Sequence, residues 1–287
     1  MAPGRHLAKR LPRIMSVVPY QLFHEKDVTL VCFISAATGA ALYACFYFAG
    51  VYFTLVEWFN GGKAGLQLLC YVPSIGVGVY TTIFMCNMYP RQTIWPLLIG
   101  TSVETGSIGA LSWAVSARQK TAVNILMGVA RFGTGMHFMP ENLHLTGTYR
   151  DKIAVILGIL SFAGPFGGTI ALTMMGSIFQ NKMSAYFVGS RSSPRFNTNS
   201  PAALDAFNNL PPEQLEHFRS AAANTISWSF ISVLPFLGLS ILAALMLGNV
   251  WISKDKKTDT DSDVLLRRIK GYSSLGAAPS PPGGAFG

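Results

Sequence analysis

Residues 28–55 read VTLVCFISAATGAALYACFYFAGVYFTL, twenty-eight positions without a charged side chain. A helix rises about 1.5 Å per residue, and about 20 apolar residues cross the ~30 Å hydrocarbon core of a bilayer. A run this long therefore reads as a membrane span and is too long for a signal peptide. Working outward, five more runs of sufficient length occur at 64–88, 94–115, 121–139, 153–179 and 226–252. The six together take up about half of the 287 residues. None alternates apolar with polar as barrel strands do. Composition agrees: 50% of the chain is hydrophobic and 12% charged, against about a quarter charged in a soluble protein. The expectation is an all-α, polytopic membrane protein with six transmembrane helices and the lipid bilayer as its first partner.

The formal charge of +9 would fit nucleic acid only if the cations clustered on a water-facing surface. Long stretches carry none, so no nucleic-acid partner is expected. Cys32, Cys45, Cys70 and Cys86 form no CxxC pair and lie in apolar runs, where they read as packing residues. Residues 1–27 are basic and broken by prolines, with no apolar core before a small-residue cleavage site, and read as a cytoplasmic segment. Residues 180–225 form a long non-cytoplasmic loop that ends in a short helix, LPPEQLEHFRSAAA (210–223). Residues 253–287 are polar, then rich in Pro, Gly and Ser, and read as a disordered cytoplasmic tail. Fourteen Lys and Arg fall on the side of the two termini and seven on the other. The positive-inside bias therefore places both termini in the cytoplasm, with the plasma membrane as the expected location.

Glycine is concentrated inside the runs, where small residues let helix backbones approach closely. Pro165 beside Gly164, Gly167 and Gly168 marks a kink, read equally as a tight bend for packing or as a gate. No glycine cluster makes a dinucleotide fingerprint, no catalytic constellation is readable, and neither a cofactor nor a metal is expected. Two ionisable residues sit near mid-membrane. Glu104 is the eleventh residue of the third run and Arg131 the eleventh of the fourth. The two runs are joined by five residues, so they are antiparallel neighbours and equal depth puts the pair side by side. Thr101 and Ser107 share the face of Glu104, and Asn124 lies at helical spacing from Arg131. A charge at this depth costs at least ~2.5–3.5 kcal/mol and is normally paired or faces a cavity. These residues are expected to face each other or a shared aqueous cavity, either as a static pair or as a site that binds substrate or carries a proton. Tyr43 and Tyr47, with Phe46, give the first run an aromatic stripe that suits a cavity for flat apolar ligands, although packing against lipid or another helix is the more frequent use of such a stripe. His137, Glu141 and His144 cluster at the cytoplasmic end of the fourth run and read as interfacial polar residues.

Four segments carry a resemblance. KAGLQLLCYVPSIGVGVY (63–80), MYPRQTIWPLLIG (88–100), FGTGMHFMPENLH (132–144) and FAGPFGGTIALTMMGSIFQNK (162–182) resemble the second half of fungal fourteen-span drug:proton antiporters of the major facilitator superfamily. The likeness runs from about Pro19 to Ile252. It implies the C-terminal half-bundle of a major facilitator fold, with inverted repeats over 28–115 and 121–252. It further implies proton-driven efflux of small amphipathic molecules by alternating access. His137 departs from the longer basic residue expected there. Only the second half is present, so the resemblance implies a missing N-terminal half or a second copy as partner, and a truncated or mis-predicted gene product as the simplest origin. The alternative is a non-transporting truncated membrane protein that acts as an assembly partner or regulator.

Overall fold

Helices follow the apolar runs and then outlast them. The computed structural model describes residues 24–69, 71–88, 93–149, 152–188 and 212–247, all within one compact unit, Met1–Trp251. The first rod, α1 (Lys26–Leu55), is α-helical at both ends, with a π-helical turn at Ala40–Cys45 between them. α2 comes in two pieces, Gly61–Leu69 and Val72–Met88. Then follow α3 (Ile94–Ser116), α4 (Lys120–Thr148), α5 (Ile153–Val188) and α6 (Pro212–Met246). The described residues thus form six helical rods. The segment 1–23, most of the long loop (189–211), Cys70 and the tail fall outside the described residues.

Several boundaries differ from those read in the sequence. α4 continues nine residues past the expected end at 139, through Pro140. A proline inside a helix leaves the carbonyl four residues back without its donor, and here that carbonyl, Met136 O, accepts a hydrogen bond from Thr82 Oγ1 of α2 at 3.3 Å. Beyond it, Asn142, Thr146 and Thr148 donate to carbonyls one turn back, so the chain turns polar without leaving the helix. The short loop helix expected at 210–223 is continuous with the last span as α6, because no glycine or proline separates them before Pro235.

Helix ends are closed by the backbone. α3 ends in a Schellman turn: Arg118 takes φ 54°, with Gln119 N–H donating to Ala114 O and Arg118 N–H to Val115 O. The Arg118 guanidinium then lies 2.5 Å from Glu216 of α6.

The rods pack in related pairs. α1 lies along α5, α2 along α4, and α3 along both α4 and α6. Exchanging the first three rods with the last three turns the first pair into the second. Both pairs are held at backbone distance by glycine. A Cβ on Gly39 or Gly167 would run into the carbonyl of Gly164 or Ala36, and one on Gly78 or Gly135 into that of Phe132 or Ile75. Dispersion at this range is what holds helices together in lipid.

The apolar interior is split. One cluster includes Val28, Val31, Ile34, Leu97, Leu145, Ile156 and Ala244 at one end. The other gathers Phe48, Tyr52, Ile108, Leu111, Met127, Met175 and Phe230 towards the opposite end. On α1, α3 and α4 the residues between the two clusters include Ser35, Thr101, Glu104 and Ser107, and Arg131, Thr134, His137, Glu141 and His144, with Thr38 just beyond on α1, all buried. A polar band therefore crosses the middle of the half-bundle.

Candidate functional site: a buried polar band beside an aromatic cleft

The band is built from helical periodicity. On α4, Arg131, Thr134, His137, Glu141 and His144 recur every three or four residues and so share one face. None is more than 6% exposed. In an otherwise apolar bundle such a face turns inward, because lipid offers polar groups no partners.

Glu104 of α3 meets this face. Its carboxylate accepts from Thr134 Oγ1 and lies 3.4 Å from His137 Nδ1. That ring nitrogen also contacts Thr38 Oγ1 of α1. Gly133 is what lets Glu104 approach: a Cβ there would sit 2.8 Å from the Glu104 backbone nitrogen. A second proton on the His137 ring makes the contact an ion pair, and the same proton on Glu104 instead makes it a neutral hydrogen bond. The geometry can therefore store a proton away from water.

Arg131 does not pair with Glu104. Its Nη2 donates to Ala41 O in the π-helical turn at 3.2 Å, and its guanidinium carbon lies 5.1 Å from the Phe46 ring centroid. The equal-depth expectation is nearly right in height, since Glu104 packs against Gly133, two residues from Arg131. It fails on direction. Side chains tilt towards the N-terminus of their own helix, so on antiparallel rods Glu104 leans towards His137 while Arg131 leans the other way. The two charges still act on each other through space.

The remaining expected residues separate into three places. Thr101 and Ser107 are buried beside Glu104 but donate to their own helix, to Leu98 O and Val103 O. Asn124 belongs to another network, where its Oδ1 accepts from Tyr71 Oη at 2.6 Å and Gln67 Nε2 at 3.1 Å. Tyr43 and Tyr47 are about half exposed and line a cleft of about 790 Å³ with Phe46, Leu68, Ile75 and Leu172. That volume suits a drug-sized molecule. Of the kink candidates, Gly167 meets the α1 backbone and Gly168 meets Tyr43. Gly164 and Pro165 lie within an unbroken α5. Sequence reading missed Thr38 and Thr134 and set His137, Glu141 and His144 at the membrane surface. The available signal was the three-to-four spacing that links them to Arg131.

Phe46 joins the two features. One ring forms cleft wall and also contacts Arg131, so the cleft and the band are separated by a single side chain. Among the described residues no group of three or more His, Cys, Asp or Glu is arranged to hold a metal.

Comparison with known proteins finds the same fold in membrane transporters. No family model matches the chain. The MFS transporter L2 of Phoma sp. (strain ATCC 20986 / MF5453) is 21% identical over 250 residues, covering 84% of this chain and 41% of that protein. The transporter FucP, solved in an outward conformation, superposes with a TM-score of 0.60 at 14% identity, over 85% of this chain and 56% of FucP. A bacterial homologue of the human lysosomal transporter Spinster, inward-facing and occupied, gives 0.55 at 15% identity, over 79% and 50%. The chain thus spans about half the length of the proteins it matches. It is similar in sequence to a major facilitator superfamily transporter and shares the fold of such transporters in part, as an all-α, multi-pass membrane protein.

Proposed function

We propose that this partial major facilitator chain is the ligand-binding half of a small-molecule transporter. In the complete protein it exports amphipathic molecules by alternating access, with proton movement as the driving force. The observation that carries the reading is Phe46, whose ring is wall to the aromatic cleft and contact to the buried Arg131. A flat ligand stacked on Tyr43, Phe46 and Tyr47 changes the surroundings of Arg131, and through its field those of Glu104. By linkage, a proton on Glu104 then alters ligand affinity by the same factor. Glu104 and Arg131 are the coupling residues in this reading, Thr101 and Ser107 shape the polar face around Glu104, and Asn124 ties α2 to α4. In this reading Gly164, Pro165, Gly167 and Gly168 are the positions at which α5 would bend against α1 during transport. Cytoplasmic termini and residence in the plasma membrane belong to the same proposal.

The test uses the purified chain in proteoliposomes with a lipophilic fluorescent amine. Phe46→Ala and Tyr47→Ala should each weaken its binding about tenfold, the equivalent of ~1.4 kcal/mol. Glu104→Gln should flatten the pH dependence of uptake driven by an imposed pH gradient. Unchanged affinity in both aromatic variants removes the cleft as the site. A second reading rests on the partial coverage of the matched proteins: the chain is a non-transporting assembly partner or regulator that requires a missing half or a second copy. Binding without gradient-driven uptake, and no uptake on adding an N-terminal half-bundle, selects it; uptake restored by that half supports the transporter reading.

A further inference from the structure

We propose that the polar face of α4 is a proton pathway, in which a proton held between Glu104 and His137 exchanges with one end of the bundle through Glu141 and His144. The inference depends on the transporter reading only for what the proton is used for, not for its route.

Three observations on the same face support it. First, the groups are in line. Arg131 to His144 spans thirteen residues, about 20 Å of helix, with every inward polar residue buried. Second, the titratable groups are each anchored by one atom, and beyond His137 each has another without a protein partner. His137 Nδ1 is held by Thr38 and Glu104, Glu141 by Ser35, and His144 Nδ1 by Thr93 Oγ1 at 3.1 Å. Glu141 Oε1 and His144 Nε2 are buried without a protein partner, while His137 Nε2 lies against the Gly100 backbone of α3. Arg131 Nε, also buried and unpartnered, is on the same face of the helix. Buried polar atoms are normally satisfied, by water where protein does not reach. Third, the spacing fits. Four residues and then three give rises of about 6 and 4.5 Å, which one bridging water with two hydrogen bonds spans.

Each transfer moves one proton and no electrons. His137 accepts at Nδ1 from the Glu104 carboxyl and releases its Nε2 proton towards Glu141, whose carboxyl passes one to His144. An imidazole anchored at one nitrogen and open at the other, as His144 is, suits this hand-over.

The surroundings give the path one open end. Arg131 lies beyond Glu104 on α4, where its positive charge repels an incoming proton, and the apolar cluster around Met127 follows it. At the other end His144 feels the charge of Asp27 on α1, and Tyr149 Oη donates to Glu25 at 3.4 Å. Lys26 lies between those two carboxylates in sequence and Lys152 just before α5, so the mouth carries charges of both signs. The other titratable neighbours are cysteines of α1, Cys45 near Glu104 and Cys32 near Glu141. α3 contributes only Glu104. α2 and α5, also packed on α4, carry one charged residue each, Lys63 and Lys182, both at the far end.

The test follows the carboxyl C=O stretch of the full chain in nanodiscs by infrared difference spectroscopy after transfer from H₂O to D₂O. Glu104→Gln assigns the Glu104 band. Glu141→Gln and His144→Gln should each slow deuteration of Glu104 at least tenfold, while Thr173→Val, at an exposed position of α5, leaves it unchanged. Should Glu141→Gln fail to fold, Thr93→Val removes only the hydroxyl that holds His144 and carries the same expectation. Wild-type rates in the Glu141 and His144 variants, or no protonated Glu104 band at any pH between 5 and 9, overturn the proposal. If the chain drives no uptake even with an N-terminal half-bundle added while the exchange pattern holds, the transporter reading fails and the pathway survives.

Discussion

Replacing Gly135 with alanine tests whether backbone contact holds α2 on α4. The new Cβ would lie 2.9 Å from the Ile75 carbonyl carbon and 3.1 Å from its Cα, with the carbonyl oxygen closer still. Carbon pairs rest at about 3.5–4.0 Å, so the rods must part by roughly 0.6 Å or more. No rotamer change relieves this, because the obstacle is main chain. Overpacking of this kind costs about 1–3 kcal/mol, against a gain of roughly 0.5–1 kcal/mol for alanine over glycine within a helix. The net expectation is a loss of about 1–2 kcal/mol, a factor of roughly five to thirty in the unfolding constant. Gly106→Ala is the internal control. Nothing lies within 4 Å of its Cβ position, so only the helix-propensity gain remains and the protein should become more stable. Gly78 lies at the same interface, so Gly78→Ala should cost less in the Gly135→Ala background than alone. The assay is equilibrium unfolding in mixed micelles followed by tryptophan fluorescence. If Gly135→Ala and Gly106→Ala shift the midpoint in the same direction, close backbone approach is not what fixes this pair of helices.

Asn124→Leu removes the acceptor of both Tyr71 and Gln67 and should cost about 1–3 kcal/mol in the same assay; a neutral result would mean the α2–α4 network adds nothing to stability. Arg131→Met should leave stability unchanged or raise it, because the guanidinium has no carboxylate in contact and burying it costs ~2.5–3.5 kcal/mol. A loss of more than about 1 kcal/mol would show that the Ala41 carbonyl and the Phe46 ring outweigh that cost. Arg118→Gly relieves a left-handed residue, worth about 1 kcal/mol, and forfeits a surface pair with Glu216 worth about 0–1 kcal/mol. Its unfolding midpoint should stay close to wild type and respond less to salt, and a large drop would make the pair more than a surface contact.

Much of the architecture is legible in the sequence because lipid imposes a length rule. The runs beginning near residues 28, 64, 94, 121, 153 and 226 each became the body of a rod. Glycine within the runs pointed correctly to backbone-close packing, and Tyr43, Phe46 and Tyr47 do share a cleft. Pro140 was opaque, because the donor that compensates it, Thr82, is 54 residues away in another rod. The partner of Glu104 was opaque for a geometric reason. Depth follows from counting residues, whereas contact between antiparallel helices also depends on the opposed tilt of their side chains.

The deepest part of the site was visible in a form that hydropathy alone misreads. Among the described residues four rods are long and apolar enough to count as spans, and α3 and α4 are not among them. Their deficit comes partly from Glu104 on one rod and from Arg131, His137, Glu141 and His144 on the other, all of which are buried. A helix too polar for lipid within an apolar bundle has one way to remain there, which is to turn its polar face inward against another helix with the same problem. α3 and α4 do this against each other, with Thr38 and Ser35 of α1 closing the third side. A shortfall in hydropathy shared by two neighbouring rods is therefore a locator. It marks the seam where polar groups meet, and the helical phase of the offending residues gives the face on which they do so.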